Sequence, residues 1–476
     1  MAKITSGLEI HQQLDSHKLF CNCPSLLRKD EPEFKVSRRL HAVAGEAGEV
    51  DVAARYAAEQ EKEFVYEGYD STCLVELDEE PPHEINQEAL KIGLQVAMHL
   101  NCEILPITQI MRKTVLDGSN TGGFQRTVLI ARDGYIETKS GRVGIWFVYL
   151  EEDAARKVSE EGNKKTYKLD RLGIPMLEIV TAPDIKSAEQ AKEVALHIGD
   201  ILRSCKVKRG IGTIRQDINV SIPGHPRAEI KGFQDPDIFI DVVNKEAERQ
   251  AKNLKEKSKD ELIGEVRGAN VDGSTKFLRP LPGAARMYPE TDLPLLKISR
   301  EMINEAKRDL PKLRTEIHGE LEKYGLQGDL IKHLMTNNLI EEYKSLLKVL
   351  NEPQFVGRVL IELPREIAGH EGKDVKDALN LEVIEEIVKA VANEKIEKSD
   401  VKHVMTEIVN GKSFEEAIKI EKVDLGDVEK EIAEIVKKKP GLSIGGYMGL
   451  IMAKFKGKVN GKEATAILEK LLNRKF

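Results

Sequence analysis

Arg215, Asp217, Asn219 and Ser221 fall at every second position of one stretch, and Ile214, Ile218, Val220 and Ile222 occupy the alternate face. A period of two marks a strand with one polar face and one core face. Pro223-Gly224-His225-Pro226 reads as a turn and Ala228-Glu229-Ile230-Lys231 as the returning strand, which brings Glu229 back towards Asp217 and Asn219. Carboxylates gathered on one strand face, without a cation matched to each, form a ligand set for a hard divalent ion. A solvated face of ordinary carboxylates is the competing reading. Glu9 and His11, two apart in ITSGLEIHQQL (residues 4–14), share a face opposite Leu8 and Ile10. A carboxylate beside an imidazole can ligate a metal, orient a nucleophile, or simply close a structural hydrogen bond. Glu151-Glu152-Asp153 ends the apolar, aromatic run that starts at Arg142. Adjacent strand residues face opposite ways, so Glu151 and Glu152 cannot both serve one site.

These residues need a sheet to hold them and helices to cover it. Helices are predicted over Glu84–Leu100 and Ser187–Ser204, the second capped by Ser187 with Gln190. Arg126–Leu150 reads as antiparallel sheet with a hairpin turn at Asp133-Gly134. Asp117–Thr127 is a glycine-bearing polar loop that a ligand can approach closely. Leu278–Pro294, rich in proline, reads as a rigid loop whose Arg279 and Arg286 can bind phosphate or carboxylate, or neutralise an acidic body. From Ser299 onward amphipathic helices dominate. Boundaries are placed near residues 296 and 405, giving units of 1–295, 296–405 and 406–476. The fold class is α+β.

Two motifs are incomplete. Cys21, Cys23 and Cys73 make three quarters of a zinc set with no second close pair. Asn410-Gly411-Lys412-Ser413 imitates the end of a P-loop, but Thr406 stands where that motif needs glycine, and no strand precedes it.

Composition narrows the class. Of 476 residues 41% are hydrophobic and 32% charged, which describes a globular chain of several domains. No run approaches the roughly 18 apolar residues that cross a bilayer, and the start lacks a secretory pattern. Five cysteines spread over this length argue against a disulfide framework. A cytoplasmic location without membrane contact is expected. The net charge of −7 is uneven: residues 437–476 carry ten Lys or Arg against two Glu. A basic tail on an acidic body points to a polyanion partner. A solvated helical surface is the alternative, weakened because the basic residues interleave with glycines and Tyr447.

GLEIHQQL, LEEDAARK, YKLDRLGIPMLEIVTAPDI, RQDINVSI, AEIKG and MYPETDLP occur in an order that resembles the GatB/GatE family of Glu-tRNA(Gln) amidotransferases. SNTGGFQRT and RPLPGAARMYPETDLP bring the chain nearer the archaeal GatE type. The resemblance implies a cradle-shaped antiparallel-sheet catalytic domain, a helical domain and a small helical tail domain. It implies that ATP phosphorylates the γ-carboxylate of Glu-tRNA(Gln) and that ammonia then displaces phosphate. The ammonia would come from an asparaginase-like glutaminase subunit, or alternatively from an amidase-type one. Also by resemblance, Glu9, His11, Glu151 and Glu229 are the Mg²⁺ ligands, with Asp217 a further ligand or orienter. Arg279, Arg286 and Lys231 are candidates for the nucleotide, and Lys454, Lys456, Lys458 and Lys462 of the tail for tRNA. Two departures stand out. The large insert usual in the GatE type, similar to part of aspartyl-tRNA synthetase, is missing between KNLKEKSKDELIG and EVRGANVDGSTKFLRPLPG. The four-cysteine zinc site of some relatives has Asp70 at its third position, which leaves zinc open. A GatB-type enzyme that also acts on Asp-tRNA(Asn), and a tRNA-binding scaffold without catalysis, are the alternative readings.

Overall fold

The computed structural model describes residues 3–41, 62–233, 238–281, 287–337, 339–419, 425–455 and 461–473. It divides into two compact units, residues 1–314 and 315–476.

The first unit is built on an eleven-stranded sheet. Its strands in chain order are β1 (Thr5–Gln13), β2 (Ile110–Thr114), β3 (Phe124–Thr138), β4 (Gly141–Glu152), β5 (Pro175–Thr181), β6 (Ile214–Ser221), β7 (Ala228–Phe233), β8 (Glu265–Ala269), β9 (Thr275–Pro280) and β10 (Met287–Pro289). They lie side by side as β9-β8-β7-β6-β1-β5-β4-β3-β2-β10, and the short strand Glu103–Ile104 also pairs with β3. All pairings are antiparallel except β7 with β8. A smaller four-stranded sheet joins Phe34–Arg38, Glu63–Gly68, Lys164–Lys168 and Arg156–Glu161. The first unit is therefore mixed α+β with a mainly antiparallel sheet.

Alternation decides which face of the large sheet is core. Leu8, Ile10, Leu177, Ile179, Ile218 and Val220 point one way and are fully buried. Helices α1 (Gln87–His99), α2 (Ala188–Ser204) and α3 (Phe239–Glu256) pack on that face. Asn86 caps α1 through the amides of Glu88 and Ala89. Ser187 caps α2 through the amide of Gln190, and the Gln190 side chain accepts from the amide of Lys186, satisfying donors that a helix start leaves open.

The structure of this unit departs from three sequence expectations. Asp133-Gly134 is not a turn: it lies inside β3, Gly134 facing Ile145, and the chain reverses between Thr138 and Gly141. Glycine is needed at 134 because a Cβ there would come within 2.3 Å of Cys102 Sγ and 2.5 Å of the Leu100 carbonyl. Close packing imitated a turn signal. Arg279 sits in β9 rather than in a loop, opposite Val266, whereas Arg286 lies outside the described residues. The boundary expected at 296 falls later, because Ile298, Ala306 and Leu313 pack into the core of the sheet unit.

The second unit holds two separate apolar cores. One runs from Leu321 to Ala417, so it continues past the expected break at 405. The other joins the helices Leu425–Lys438, Ile444–Phe455 and Gly461–Asn473 through Val428, Ile432, Tyr447, Ile451 and Leu468. Tyr447 is buried there and its hydroxyl donates to the Lys439 carbonyl at 2.7 Å, so its ring is core. Lys454 pairs with Glu431. Lys456 and Lys458 lie outside the described residues, and of Lys462 only the backbone is described. Gly411, at φ 97°, closes the helix Val401–Val409, and Lys412 pairs with Glu407, a helix-ending turn rather than a phosphate loop. No helix among the described residues is long and apolar enough to cross a membrane.

Candidate active site

On the face opposite the core, register lines up ionisable side chains in rows across four central strands. One row runs Arg215, His11, Glu178, Tyr149, and the next Asp217, Glu9, Val180, Phe147. Glu151 lies two positions along β4 from Tyr149, and Glu229 lies opposite Asn219. Together they line a cavity of about 930 Å³ whose wall also includes Lys113, Asp117, Arg171, Arg227, Lys231 and Arg279. Asp117, Ser119 and Asn120 bring the glycine-bearing loop to its edge.

The expected ligands fall into two groups rather than one. His11, Glu151 and Glu178 have ligand atoms within 4.8 Å of one another, as do Glu9, Asp217 and Glu229. Register explains the division: His11 and Glu9 are successive same-face residues of β1, and each belongs to a different row. In the first group Lys113 Nζ lies 2.5 Å from Glu151 Oε1 and 2.9 Å from Glu178 Oε2. Thr127 donates to Glu151 Oε1 at 2.7 Å, and His11 Nε2 is 3.8 Å from Glu178. In the second group Lys231 Nζ lies 2.6 Å from Asp217 Oδ2 and 2.5 Å from Glu229 Oε1, and Asn219 donates to Glu9 Oε1 at 2.9 Å. A bulge sets that contact. Gln216 pairs Phe233 and Ile218 pairs Ile230, so Lys231 and Gly232 together oppose Asp217. Gly232, at φ 93°, supplies the left-handed residue that the bulge requires.

Crowded carboxylates in a buried place separate in acidity. Burial and then Glu178 push Glu151 up to about 7. Burial also acts to raise Glu178, but Lys113, His11 and the hydrogen bond with Glu151 hold it well below the usual range. Below about pH 7 the pair therefore keeps one proton, on the Glu151 side. Burial, Glu229 and Glu178 push Glu9 up to about 7. Glu229 goes down, because Lys231 overcomes its burial. Burial lowers His11, which favours the neutral imidazole that can donate a lone pair to an ion. Tyr149 is pushed up to about 12 by burial and by Glu178.

Glu152 leaves the site, as its strand parity requires. It accepts from the Arg126 amide at 3.2 Å and belongs to a buried ionic network with Arg126 and Glu290. Two site residues escaped sequence reasoning. Glu178 carries the signal of alternation, for Met176, Glu178 and Val180 share a face opposite Leu177 and Ile179. Lys113 has none, because its strand is short and its partners lie 38 and 65 residues away.

A second cluster lies elsewhere in the first unit. Cys21, Cys23, Cys73 and Glu76 have ligand atoms within 4.8 Å of one another. Asp70 is not part of it and pairs with Arg28 at the surface. Glu76 also accepts from the Cys73 amide at 2.8 Å and pairs with the buried Lys18. Hydrogen bonding from Cys21 holds the Cys73 thiol down to about 6 against its burial.

Residues 4–304 match the family described as the GatB/GatE catalytic domain. The chain is similar along 98% of its length to curated proteins named as the E subunit of glutamyl-tRNA(Gln) amidotransferase. That of Methanocaldococcus jannaschii is 37% identical and 98% covered. That of Archaeoglobus fulgidus is 34% identical and 97% covered, and that of Pyrobaculum neutrophilum 33% identical and 98% covered. The first alignment spans 618 positions, which a chain of 476 residues cannot fill. Its relative carries sequence that this chain lacks, in agreement with the missing insert.

Proposed function

The chain belongs to the GatB/GatE family, and on that premise we propose that it is the transamidating subunit of a tRNA-dependent amidotransferase, converting Glu-tRNA(Gln) to Gln-tRNA(Gln). The observation that carries this reading is the pair of carboxylate-rich groups on the polar sheet face, both opening into one cavity large enough for a nucleotide and an acyl end.

The residues fit divalent ions. Each group offers three oxygen or imidazole donors close together, and the carboxyls that burial and then neighbouring carboxylates raise to about 7 can exchange a proton for a cation near neutral pH. His11, Glu151 and Glu178 would hold one Mg²⁺, and Glu9, Asp217 and Glu229 another. When bound, the ions supply positive charge that offsets the charge of a transferring phosphoryl group. The protein's own cations add to this: Arg171, Arg215, Arg227 and Arg279 on the cavity wall meet phosphates. The buried floor keeps water from an activated γ-carboxylate until ammonia arrives. That ammonia is released by a partner glutaminase of the asparaginase-like kind, the partner expected of a GatE-type chain. The basic tail adds affinity for the tRNA backbone.

The test is ADP release from ATP in the presence of Glu-tRNA(Gln), Mg²⁺ and an ammonium salt, which bypasses the partner. Glu151→Gln, which keeps the shape and removes the charge, is expected to abolish ADP release while preserving the thermal transition. Turnover of the variant at the wild-type rate would overturn the assignment. Formation of Asn-tRNA(Asn) from Asp-tRNA(Asn) in the same assay would show the broader, GatB-like substrate range.

A further inference from the structure

Each of the two carboxylate groups already contains a cation of the chain's own. Lys113 Nζ bridges Glu151 and Glu178, and Lys231 Nζ bridges Asp217 and Glu229, all at 2.5–2.9 Å. Neither lysine comes from a distant surface. Lys113 is buried on β2, and Lys231 is set opposite Asp217 by the bulge at Gly232. Both also line the cavity. The ammonium groups use the same oxygens that a divalent ion would need. An ion bound at its usual distance of about 2.0–2.6 Å would lie within about 5 Å of an ammonium that kept those contacts. Two cations at that separation in a buried place repel strongly, and the four-carbon stem of lysine can relieve the repulsion by swinging away.

We propose that Lys113 and Lys231 are displaceable counter-ions: each holds its carboxylate group together before a divalent ion enters, and is then released into the cavity to meet the anionic substrate. This rests on the reading of the site as a divalent-cation centre. It assigns the lysines a task that neither a purely structural ion pair nor a fixed phosphate ligand would perform. The consequence is reciprocal coupling. An ion makes the cavity more attractive to a phosphate by freeing an ammonium, and a phosphate that captures the ammonium makes the carboxylates more attractive to the ion. The lysine's charge is retained throughout. It moves from one partner to another, and no proton transfer is required.

The experiment uses the full chain without nucleotide or tRNA, and Mn²⁺ as the probe. Free Mn²⁺ followed by electron paramagnetic resonance gives the affinity. A short pulse of an isotope-coded acylating reagent, read by peptide mass spectrometry, gives the accessibility of each lysine amine. Mn²⁺ is expected to raise labelling of Lys113 and Lys231 severalfold while Lys165, which lines the same cavity from the four-stranded sheet and pairs with Glu160, stays unchanged. Lys231→Met is expected to tighten Mn²⁺ binding at its group by about tenfold, within the range of ordinary coupling between sites. Mn²⁺ binding with no rise in labelling of either lysine overturns the exchange and leaves the cation reading standing. Failure of the wild-type chain to bind Mn²⁺ removes the cation reading, and the exchange with it. Because labelling is measured on the wild-type chain, the outcome does not depend on the variant folding.

Discussion

Cation binding at this site should release protons, and the acidity of two carboxyls sets the amount. Glu9 and Glu151 are both held near pH 7, mainly by burial and then by neighbouring carboxylates. Consider a change from pH 8 to pH 6 at fixed Mg²⁺. A carboxyl of pKa about 7 is about nine-tenths ionised at the upper pH and about one-tenth at the lower. Each ion needs its group ionised, so affinity should fall about tenfold per site, or ~1.4 kcal/mol. His11 is lowered by burial, which favours its neutral, lone-pair-donating form. Stability without cations should move the other way. A folded-state pKa raised above the unfolded 4.5 contributes stability that is complete below pH 4.5 and is lost as pH rises through 7. Glu178 and Glu229, which are lowered, act in the separate window below 4.5, where stability is lost as pH falls. The cation-free protein should therefore melt at lower temperature at pH 8 than at pH 6, and Mg²⁺ should restore more of the loss at pH 8. Calorimetric titration at pH 6 in two buffers of different ionisation enthalpy should give about one proton released per ion. Equal affinities at pH 6 and pH 8, with no proton release, would refute the reasoning.

Glu178→Gln leaves Lys113 one carboxylate partner fewer and removes one member of the first group. It should lower kcat for ATP-dependent transamidation by at least about tenfold with little change in KM for tRNA, and an unaltered kcat would exclude Glu178 from the reaction. Cys21, Cys23, Cys73 and Glu76 should bind zinc, with about one equivalent found by elemental analysis and lost in Cys73→Ser together with thermal stability; zinc content unaffected by that change would place the metal elsewhere. Deleting residues 425–476 removes the last apolar core without cutting the one before it. KM for Glu-tRNA(Gln) should rise and the salt dependence of binding should flatten, with kcat changing less. Unchanged affinity and salt slope would show that the basic tail is only a solvated surface.

The alternation of Glu9 and His11 on β1, and of Arg215, Asp217 and Asn219 on β6, was legible because strand parity is a local property. So was the division of Glu151 from Glu152, and the return of Glu229 by the turn at Gly224, which adopts φ 90°. The chain order of β6 and β7, the cap at Ser187 and the exclusion of Asn410–Ser413 as a P-loop were legible for the same reason. Where local signals had two meanings, the sequence misled. Gly134 is a packing glycine that imitates a hairpin, and Tyr447 is a core residue that imitates an exposed aromatic.

The sequence by itself thus determined the faces of the strands, the carboxylates available, and the family to which these motifs belong. Only the tertiary structure decided how the carboxylates are shared out. His11 meets Glu178 and Glu9 meets Asp217 because β5 and β6 flank β1 in one particular register, and register depends on pairings between residues some 170 to 210 positions apart in the chain. One step of slippage would send every side chain of a strand to the opposite face. The same holds for Lys113, Lys231 and Glu76, whose roles come from the carboxylates and thiols that folding sets beside them. Side-chain type can be read along the chain, but the electrostatic neighbourhood that gives each group its acidity and its partner exists only in the folded sheet.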